Sequence, residues 1–402
     1  HQVVYFLSKS KLLIFTLKII AMKVYFDNAA TTPLRKEIIT SMTDLMNQSY
    51  GNPSSTHTFG RKAKTVLENS RREIANHFNV SSKEIIFTSG GTESDNMILR
   101  SAVESFGIET IVTSKIEHHA VLNVVEYLST KNIKIEYVEI NQDGSININN
   151  LESILESDNS KKLVSLMHVN NEIGNILDLQ NVSKICKKNS CLFHTDAVQS
   201  VGHYEIDLNK IPVDFLSASA HKFHGPKGIG FSFVRNTSKL KPFIIGGGQE
   251  WGVRAGTESV CNVVGMSKAL TIAYENLEIE SKHIKNIKLY FVKKLKELFP
   301  DVIFNGNSQG FDKNTYTIVN VAIPIIPHKI DLLNFHLDLK GIACSKGSAC
   351  QSGSSSGSHV ISHLRKNNKW PSLRFSFSIF NSIDEVDYLM KTLKSFVKET
   401  VS

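Results

Sequence analysis

Apolar and polar positions alternate in a recurring way through the first part of the chain. Between residues 84 and 235, short runs of Ile, Leu, Val and Phe are separated by stretches with helical periodicity. The runs cover residues 85–87, 111–112, 135–140, 163–167, 192–193, 215–216 and 229–234. This alternation predicts an α/β domain with a mainly parallel sheet covered by helices on both faces. Such sheets bind ligands at the carboxyl ends of their strands.

The pattern changes in the last third of the chain. A long amphipathic stretch covers residues 263–298, and strands follow around 302–304 and 316–323. A helix at 329–339, a strand leading into Cys344, a strand at 373–378 and a final helix at 382–397 complete the pattern. These elements predict a small α+β domain over residues 263–402, after a large domain over 22–262. The Ser- and Gly-rich residues 351–358 predict a mobile loop within the small domain.

The first 21 residues form a separate segment. They begin at His1, and a strand-like pattern opens at Met22, which we interpret as the native start. A signal or anchor segment is the alternative, since residues 12–20 are apolar. Lys18 interrupts that run, no small-residue cleavage site follows, and the run is too short to span a bilayer. We therefore expect an upstream or non-native extension and no membrane attachment.

Composition narrows the class of protein. The 402 residues are 41% hydrophobic and 21% charged, as in an ordinary globular protein. The 46 basic residues exceed the 38 acidic ones without forming a Lys/Arg block, so direct binding of nucleic acid is not expected. The 5 cysteines include no CxxC pair and no zinc-like spacing. We expect free thiols in a reducing compartment, the cytoplasm, and no metal site.

Two polar residues at predicted strand ends are candidates for cofactor chemistry. Lys222 follows an apolar strand amid Ser, His and Gly, where a lysine can form a Schiff base with an aldehyde cofactor. A lysine in a surface turn is the alternative. Asp196 ends another strand and could keep a pyridinium nitrogen protonated, or could simply cap a helix.

Two further clusters begin helices. Gly90, Gly91 and Thr92 lead from a strand into a helical pattern, which directs backbone N–H groups and the helix dipole at an anion such as phosphate. His118 and His119 start another helix, where one ring could stack on a cofactor and exchange protons. A two-histidine metal site is disfavoured because adjacent helical residues point to different faces.

Taken together, the motifs resemble the fold-type I pyridoxal-phosphate enzymes of the class V aminotransferase group, and within it the NifS/IscS-like cysteine desulfurases. The resemblance extends from Val24 to the last helix. Its landmarks are Tyr25-Phe26-Asp27-Asn28-Ala29-Ala30-Thr31-Thr32-Pro33, Tyr50-Gly51-Asn52-Pro53-Ser54-Ser55, Phe87-Thr88-Ser89-Gly90-Gly91-Thr92-Glu93-Ser94-Asp95-Asn96, Met167-His168-Val169-Asn170-Asn171-Glu172-Ile173-Gly174, Gly246-Gly247-Gly248-Gln249-Glu250 and Arg254-Ala255-Gly256-Thr257. It implies a large domain with a seven-stranded type of sheet that binds pyridoxal 5'-phosphate, and a small domain that carries the catalytic cysteine loop.

The resemblance also implies roles for individual residues. Lys222 would carry the cofactor, Asp196 would pair with its ring nitrogen, Gln199 would donate to its phenolic oxygen, and His118 would stack on the ring as acid and base. Gly91, Thr92, Ser219 and His221 would hold the phosphate, with Thr257 reaching in from the other subunit of a homodimer. Asn171 and Arg374 would hold the substrate carboxylate, for which a guanidinium is chemically suited.

Cys350 separates a desulfurase from its relatives. It precedes a Ser/Gly loop that can move between a buried substrate and an outside acceptor, whereas Cys344 lies in a strand-like run that suits packing. The implied reaction converts L-cysteine to L-alanine and leaves a persulfide on Cys350. The sulfur would pass to an acceptor such as an iron–sulfur scaffold, for cluster assembly or tRNA thiolation.

The sequence differs from the resembled group in two respects, and several alternative functions remain open. The stretch between Cys350 and Arg374 is shorter and more polar than in the resembled group, which leaves the acceptor open. A selenocysteine lyase, a kynureninase-like enzyme or an aminotransferase would share the cofactor residues without needing a mobile cysteine. A catalytically silent binding or scaffold protein would not need Lys222.

Overall fold

The computed structural model describes residues 22–235, 240–325, 329–346, 358–365 and 370–401. The interpretation of residues 1–21 and the role given to Cys350 lie outside these ranges. In the described part, no helix is both long enough and apolar enough to cross a membrane.

Strands and helices alternate through most of the chain. In chain order the elements are β1 (Val24–Tyr25), α1 (Lys36–Gln48), α2 (Thr58–His77), β2 (Ile85–Thr88), α3 (Gly91–Phe106), β3 (Thr110–Ser114), α4 (His119–Ser129), β4 (Lys134–Val138), α5 (Ile148–Glu156), β5 (Lys162–Ser165), α6 (Leu179–Lys188), β6 (Leu192–Asp196), β7 (Phe215–Ser219), β8 (Gly230–Val234), α7 (Val260–Glu275), α8 (Leu277–Leu298), β9 (Ile303–Phe304), β10 (Ile318–Ala322), α9 (Ile330–Leu339), β11 (Ile342–Ala343), α10 (His359–Leu364), β12 (Ser372–Ser376) and α11 (Ile383–Val401).

The large sheet confirms the predicted α/β class. Its seven strands run in the order β2-β8-β7-β6-β5-β3-β4. The pairings among β3, β4, β5, β6 and β7 are parallel, and only β8 runs antiparallel to its neighbours β2 and β7. Apart from the edge strand β4, the strands are buried on both faces by separate apolar clusters, as expected for a sheet with helices on each side. This burial explains why the strands appear as continuous apolar runs in the sequence.

A second unit contains the other strands. An antiparallel sheet has the order β12-β10-β9, and β1 pairs in parallel with β11 so that Val24 lies opposite Ile342. Val24 and Phe26 are buried in the same apolar cluster as Phe291 and Phe375. The first strand of the chain therefore packs with elements from its C-terminal third.

The amphipathic stretch predicted over 263–298 is two helices, because α7 ends and α8 begins on either side of Asn276. Val263 and Leu270 of α7 pack in the core of the large sheet, whereas Ile284 and Phe291 of α8 pack in the second core. We therefore propose that the boundary between the domains lies at Asn276 rather than near residue 262.

Candidate active site

A cleft opens at the carboxyl edge of the large sheet. The segments after β2, β3, β5, β6 and β7 all contribute to it, as the strand-end argument predicted. The lining residues are Ala29, Ala30, Gly91, Thr92, Asp95, His118, Met167, Val169, Asn171, Asp196, Val198, Gln199, Ser219, His221, Lys222 and Arg374. The structure thus brings together almost all of the site residues chosen from the sequence.

Lys222 ends a short 3-10 turn, Ala220–Lys222, that directly follows β7. Its Nζ donates hydrogen bonds to the carbonyl oxygens of Ala29 (2.5 Å) and Ala30 (2.9 Å). The Gln199 side-chain amide also donates to the Ala29 oxygen, at 2.9 Å. The sequence motif around Ala29 gave no sign that its backbone carbonyls hold the lysine amine and the glutamine amide. Two backbone carbonyls hold the amine at the cleft, so Lys222 is not a surface-turn lysine.

One end of the cleft is suited to an anion. Helix α3 begins at Gly91, where an added Cβ would come within 2.6 Å of the Val198 side chain, so only glycine allows this close approach. The Thr92 and Ser219 side chains line the same region. Burial and the neighbouring Lys222 lower the pKa of His221 to about 4, so a neutral imidazole would meet an anion with a hydrogen bond rather than a charge.

Asp196 lies at the end of β6 and is 6% exposed. Its Oδ1 accepts a hydrogen bond from the Val198 amide at 2.9 Å, so the carboxylate caps the following turn and also lines the cleft. Burial, followed by repulsion from Asp95, raises the pKa of Asp196 to about 7. A cationic ring nitrogen at this place would offset both effects, and the carboxylate therefore fits a pyridinium partner.

A buried polar group behind Asp196 was missed by the sequence analysis. The Nε2 of His194 lies 3.4 Å from the Oδ1 of Asp95, and burial raises the pKa of Asp95 to about 7. Glu117 accepts hydrogen bonds from the Ser114 hydroxyl (2.6 Å) and the Met167 amide (2.9 Å), and burial raises its pKa to about 8. Several carboxyl groups therefore share one apolar region, where each disfavours ionisation of the others.

We expect Asp95→Asn to lower the pKa of Asp196 in the cofactor-free protein, from about 7 toward the ordinary aspartate value of 3.8. Between these pH values the folded chain binds more protons at Asp196 than the unfolded chain does. The free energy of unfolding therefore falls as pH rises through this window, and the variant should lose part of that dependence. The measurement is a pH titration of the Asp196 carboxyl ¹³C shift, with thermal denaturation at each pH.

Asp44→Asn is the matched control, because Asp44 lies exposed on α1 and should leave the Asp196 titration unchanged. An Asp196 pKa that stays at its original value in Asp95→Asn would contradict the repulsion between these two groups.

His118 is the N-terminal cap of α4 and lines the cleft. Its Nδ1 accepts a hydrogen bond from the Ala120 amide at 3.1 Å, which places the proton of the neutral ring on Nε2. Burial, Lys222 and the neighbouring histidines lower the pKa of His118 to about 4. The ring is therefore neutral at physiological pH. In the described part of the chain, no group of His, Cys, Asp and Glu side chains is arranged to hold a metal.

Arg374 projects into the cleft from β12 of the second unit and is 1% exposed. One Nη donates to the Asn171 carbonyl at 2.8 Å, and the other lies 2.9 Å from Asp27. Among the residues that the structure describes, its buried Nε has no hydrogen-bond partner. Arg374 thus forms a salt bridge with Asp27, and a donor still remains for a carboxylate ligand.

Thr257 is not among the residues that line the cleft, and its side chain is exposed. The segment that carries it is tied to its own chain, because Arg254 pairs with Glu93 at 2.7 Å and Glu250 pairs with the buried Arg71 at 2.6 Å. Glu93 also accepts a hydrogen bond from the Ser89 amide at 2.7 Å.

Comparison with known proteins agrees with this geometry. The aminotransferase class-V profile matches residues 24–389, so the chain belongs to that family, whose members use pyridoxal 5'-phosphate. It is 39% identical over 383 residues to the cysteine desulfurase IscS of Dictyoglomus turgidum, covering 94% of this chain and 95% of the relative. A solved NifS-like protein superposes with a TM-score of 0.85 at 35% identity, covering 94% of this chain and all (100%) of that one.

A third match is the structure of SspA in complex with cysteine, with a TM-score of 0.77 and 29% identity over 90% of this chain and 100% of that one. Within the class-V family the chain is a member of the cysteine desulfurase group. The resemblance inferred from the motifs and the fold expected from it are confirmed.

Proposed function

We propose that the chain is a pyridoxal-phosphate-dependent cysteine desulfurase that converts L-cysteine to L-alanine and transfers the sulfur to an acceptor. The main support for this proposal is that Lys222, Asp196 and Arg374 line the same cleft. The first two suit an aldehyde cofactor with a ring nitrogen, and the third suits an amino acid carboxylate.

The residues of the cleft fit the cofactor. Lys222 would hold its aldehyde carbon and Asp196 its ring nitrogen, while Gln199 would donate to the phenolic oxygen. The backbone N–H groups at Gly91 and the side chains of Thr92, Ser219 and His221 would hold the phosphate. Bound pyridoxal 5'-phosphate supplies an electron sink next to the substrate's α-carbon.

The chain's own residues would then orient the substrate and move protons. Arg374 would bind the substrate carboxylate through its unsatisfied Nε, with Asn171 beside it. The Lys222 amine and the neutral His118 ring both line the cleft and would carry protons to and from the substrate. Because His118 is neutral at physiological pH, it can accept a proton without first losing one.

We assign the nucleophile to Cys350, whose thiolate would attack the sulfur of bound cysteine. A sulfur–sulfur bond forms while the substrate's Cβ–S bond breaks, and the three-carbon product leaves as alanine after protonation. The balance needs no outside oxidant or reductant: cysteine and a protein thiol give alanine and a protein persulfide. The persulfide can then pass its outer sulfur to an acceptor cysteine by thiol exchange.

We also propose a sulfur acceptor, a homodimer and a cellular compartment for this protein. The acceptor would be a protein with a reactive cysteine, such as an iron–sulfur scaffold, and the sulfur would serve cluster assembly or tRNA thiolation. The exposed Thr257, held on a segment fixed by Arg254 and Glu250, supports a homodimer in which it completes the partner's phosphate site. The described cysteines are free thiols, which supports a reducing compartment, the cytoplasm.

The test is incubation of purified protein, reconstituted with pyridoxal 5'-phosphate, with L-cysteine and a reductant. Sulfide and alanine should form in equal amounts. L-Selenocysteine, L-kynurenine and an amino acid paired with a 2-oxo acid are tested alongside. Turnover of kynurenine, or transamination, without sulfide release from cysteine would favour another enzyme of the same fold, and no bound cofactor at all would favour a silent scaffold.

A further inference from the structure

The short helix α10 follows Cys350 after a few residues of chain, since Ser358 is eight positions further along. This helix was not predicted from the sequence. Ser358 caps it by accepting a hydrogen bond from the Ile361 amide at 3.0 Å. Val360 and Ile361 are buried in a small apolar cluster with Ile116 and Ile173 of the large domain. The helix α10 is thus attached to the large domain through residues two positions from His118 and Asn171.

A buried hydrogen bond strengthens this attachment. The Ser358 hydroxyl donates to Oε2 of Glu172, whose side chain is 0% exposed. The other oxygen of Glu172 has no hydrogen-bond partner among the described residues. A buried carboxylate with unsatisfied capacity is costly, and a neutral side chain would hold Ser358 at lower cost if packing were the only purpose.

Glu172 belongs to the turn that carries Asn171, one of the two residues proposed to bind the substrate. The preceding residue, Asn171, lines the cleft, and its carbonyl oxygen accepts from Arg374 at 2.8 Å. The turn is fixed from below, because the Glu172 carbonyl accepts from the Asn320 side chain at 3.0 Å. One rigid turn therefore contacts the guanidinium on one side and the start of α10 on the other.

A second contact joins α10 to the segment that carries His118, the proposed acid/base residue. The Nε2 of His359 donates to the carbonyl oxygen of Glu117 at 2.9 Å, next to His118 in the sequence. The rings of His359 and His119 lie 4.6 Å apart, between centroids. The two contacts of α10 are made to the two segments that carry His118 and Asn171.

We propose that Ser358 and Glu172 are positioning residues for sulfur transfer, which fix the chain beyond Cys350 in register with the substrate-binding turn. This inference rests on the proposed function. Eight residues span at most about 28 Å when extended, so the place where Ser358 is held limits where the Cys350 sulfur can reach. Loss of the anchor enlarges the volume that this sulfur explores and lowers its effective concentration at the substrate.

The experiment measures cysteine desulfuration by holoenzyme carrying Ser358→Ala. We expect kcat to fall about tenfold, with KM for cysteine and the cofactor absorption spectrum unchanged, since a loosened nucleophile slows the chemical step without removing a binding group. Ser358→Thr keeps the hydroxyl and should restore kcat. Hydrogen exchange of the α10 amides should rise in Ser358→Ala and stay low in Ser358→Thr.

Ser362→Ala is the matched control in the same helix, because this serine is exposed and its hydroxyl donates to the His359 carbonyl within the helix. Glu172→Gln tests the partner, and the double variant should be no slower than the slower single variant, since both changes remove one interaction.

Wild-type kcat in Ser358→Ala, or an equal loss in Ser358→Thr, would overturn this inference and leave the proposed function intact. Absence of desulfuration in the wild-type holoenzyme would overturn the proposed function and this inference with it.

Discussion

A Cys350→Ser variant is expected to bind pyridoxal 5'-phosphate and L-cysteine like the wild type and to release no sulfur. A serine hydroxyl is a poor nucleophile toward thiol sulfur, so the cleft should fill without turnover. We expect a loss of at least about 10³-fold in sulfide and alanine formation, in the range that removal of a covalent nucleophile causes. Mass spectrometry of the wild type after a short pulse of cysteine should find one added sulfur on the Cys350 peptide.

The control is Cys344→Ser, which should remain active. Cys344 packs against the second apolar core, beside the Asp27–Arg374 ion pair. Burial, together with Asp27, raises the pKa of its thiol to about 12, so very little thiolate exists at neutral pH. An added sulfur on the Cys344 peptide, with none on the Cys350 peptide, would show that the nucleophile has been assigned to the wrong cysteine.

Replacing Lys222 with Ala is expected to abolish turnover and the visible absorption of covalently held cofactor. The Nζ of Lys222 is held by the carbonyl oxygens of Ala29 and Ala30 at the floor of the cleft. No other lysine lines the cleft in the described part of the chain. The loss should therefore be on the order of 10³-fold or more, because one amine both holds the cofactor and carries protons.

Lys227→Ala is the matched comparison, because this exposed lysine lies in the same loop, five positions further along. It should keep the wild-type spectrum and rate. Alanine production from cysteine by the Lys222→Ala protein, at a rate near that of Lys227→Ala, would remove the basis for the cofactor assignment.

Residues at strand ends were predictable from the sequence because two patterns locate them: the apolar runs of the strands and the polar clusters that follow. The apolar runs locate the strands, and polar residues in the segments that follow parallel strands lie at the sheet's carboxyl edge. Asp196, Lys222 and His118 were found this way. Arg374 needed the resemblance to known enzymes, since it reaches the cleft from another sheet and no local pattern reveals that approach.

Other features could not be found by such patterns. Asp95 lies inside helix α3 and His194 inside strand β6, where a polar residue in an apolar run gives no sign of its partner. The carbonyls of Ala29 and Ala30 carry no side-chain signal at all. The break at Asn276 was hidden because no Gly or Pro separates α7 from α8, although the two helices pack in different cores.

The pairing of β1 with β11 has a consequence for the order in which the protein can be assembled on the ribosome. Val24 and Phe26 emerge early, but the strand that pairs with Val24 follows more than 300 residues later, and the core that both residues join begins only at Ile284. The large sheet is complete by Val234 and can form during synthesis. The N-terminal strand must wait beside it, with its apolar side chains uncovered. Asp27 meets Arg374 only when that strand docks, so the part of the cleft that Arg374 lines is completed after the large sheet.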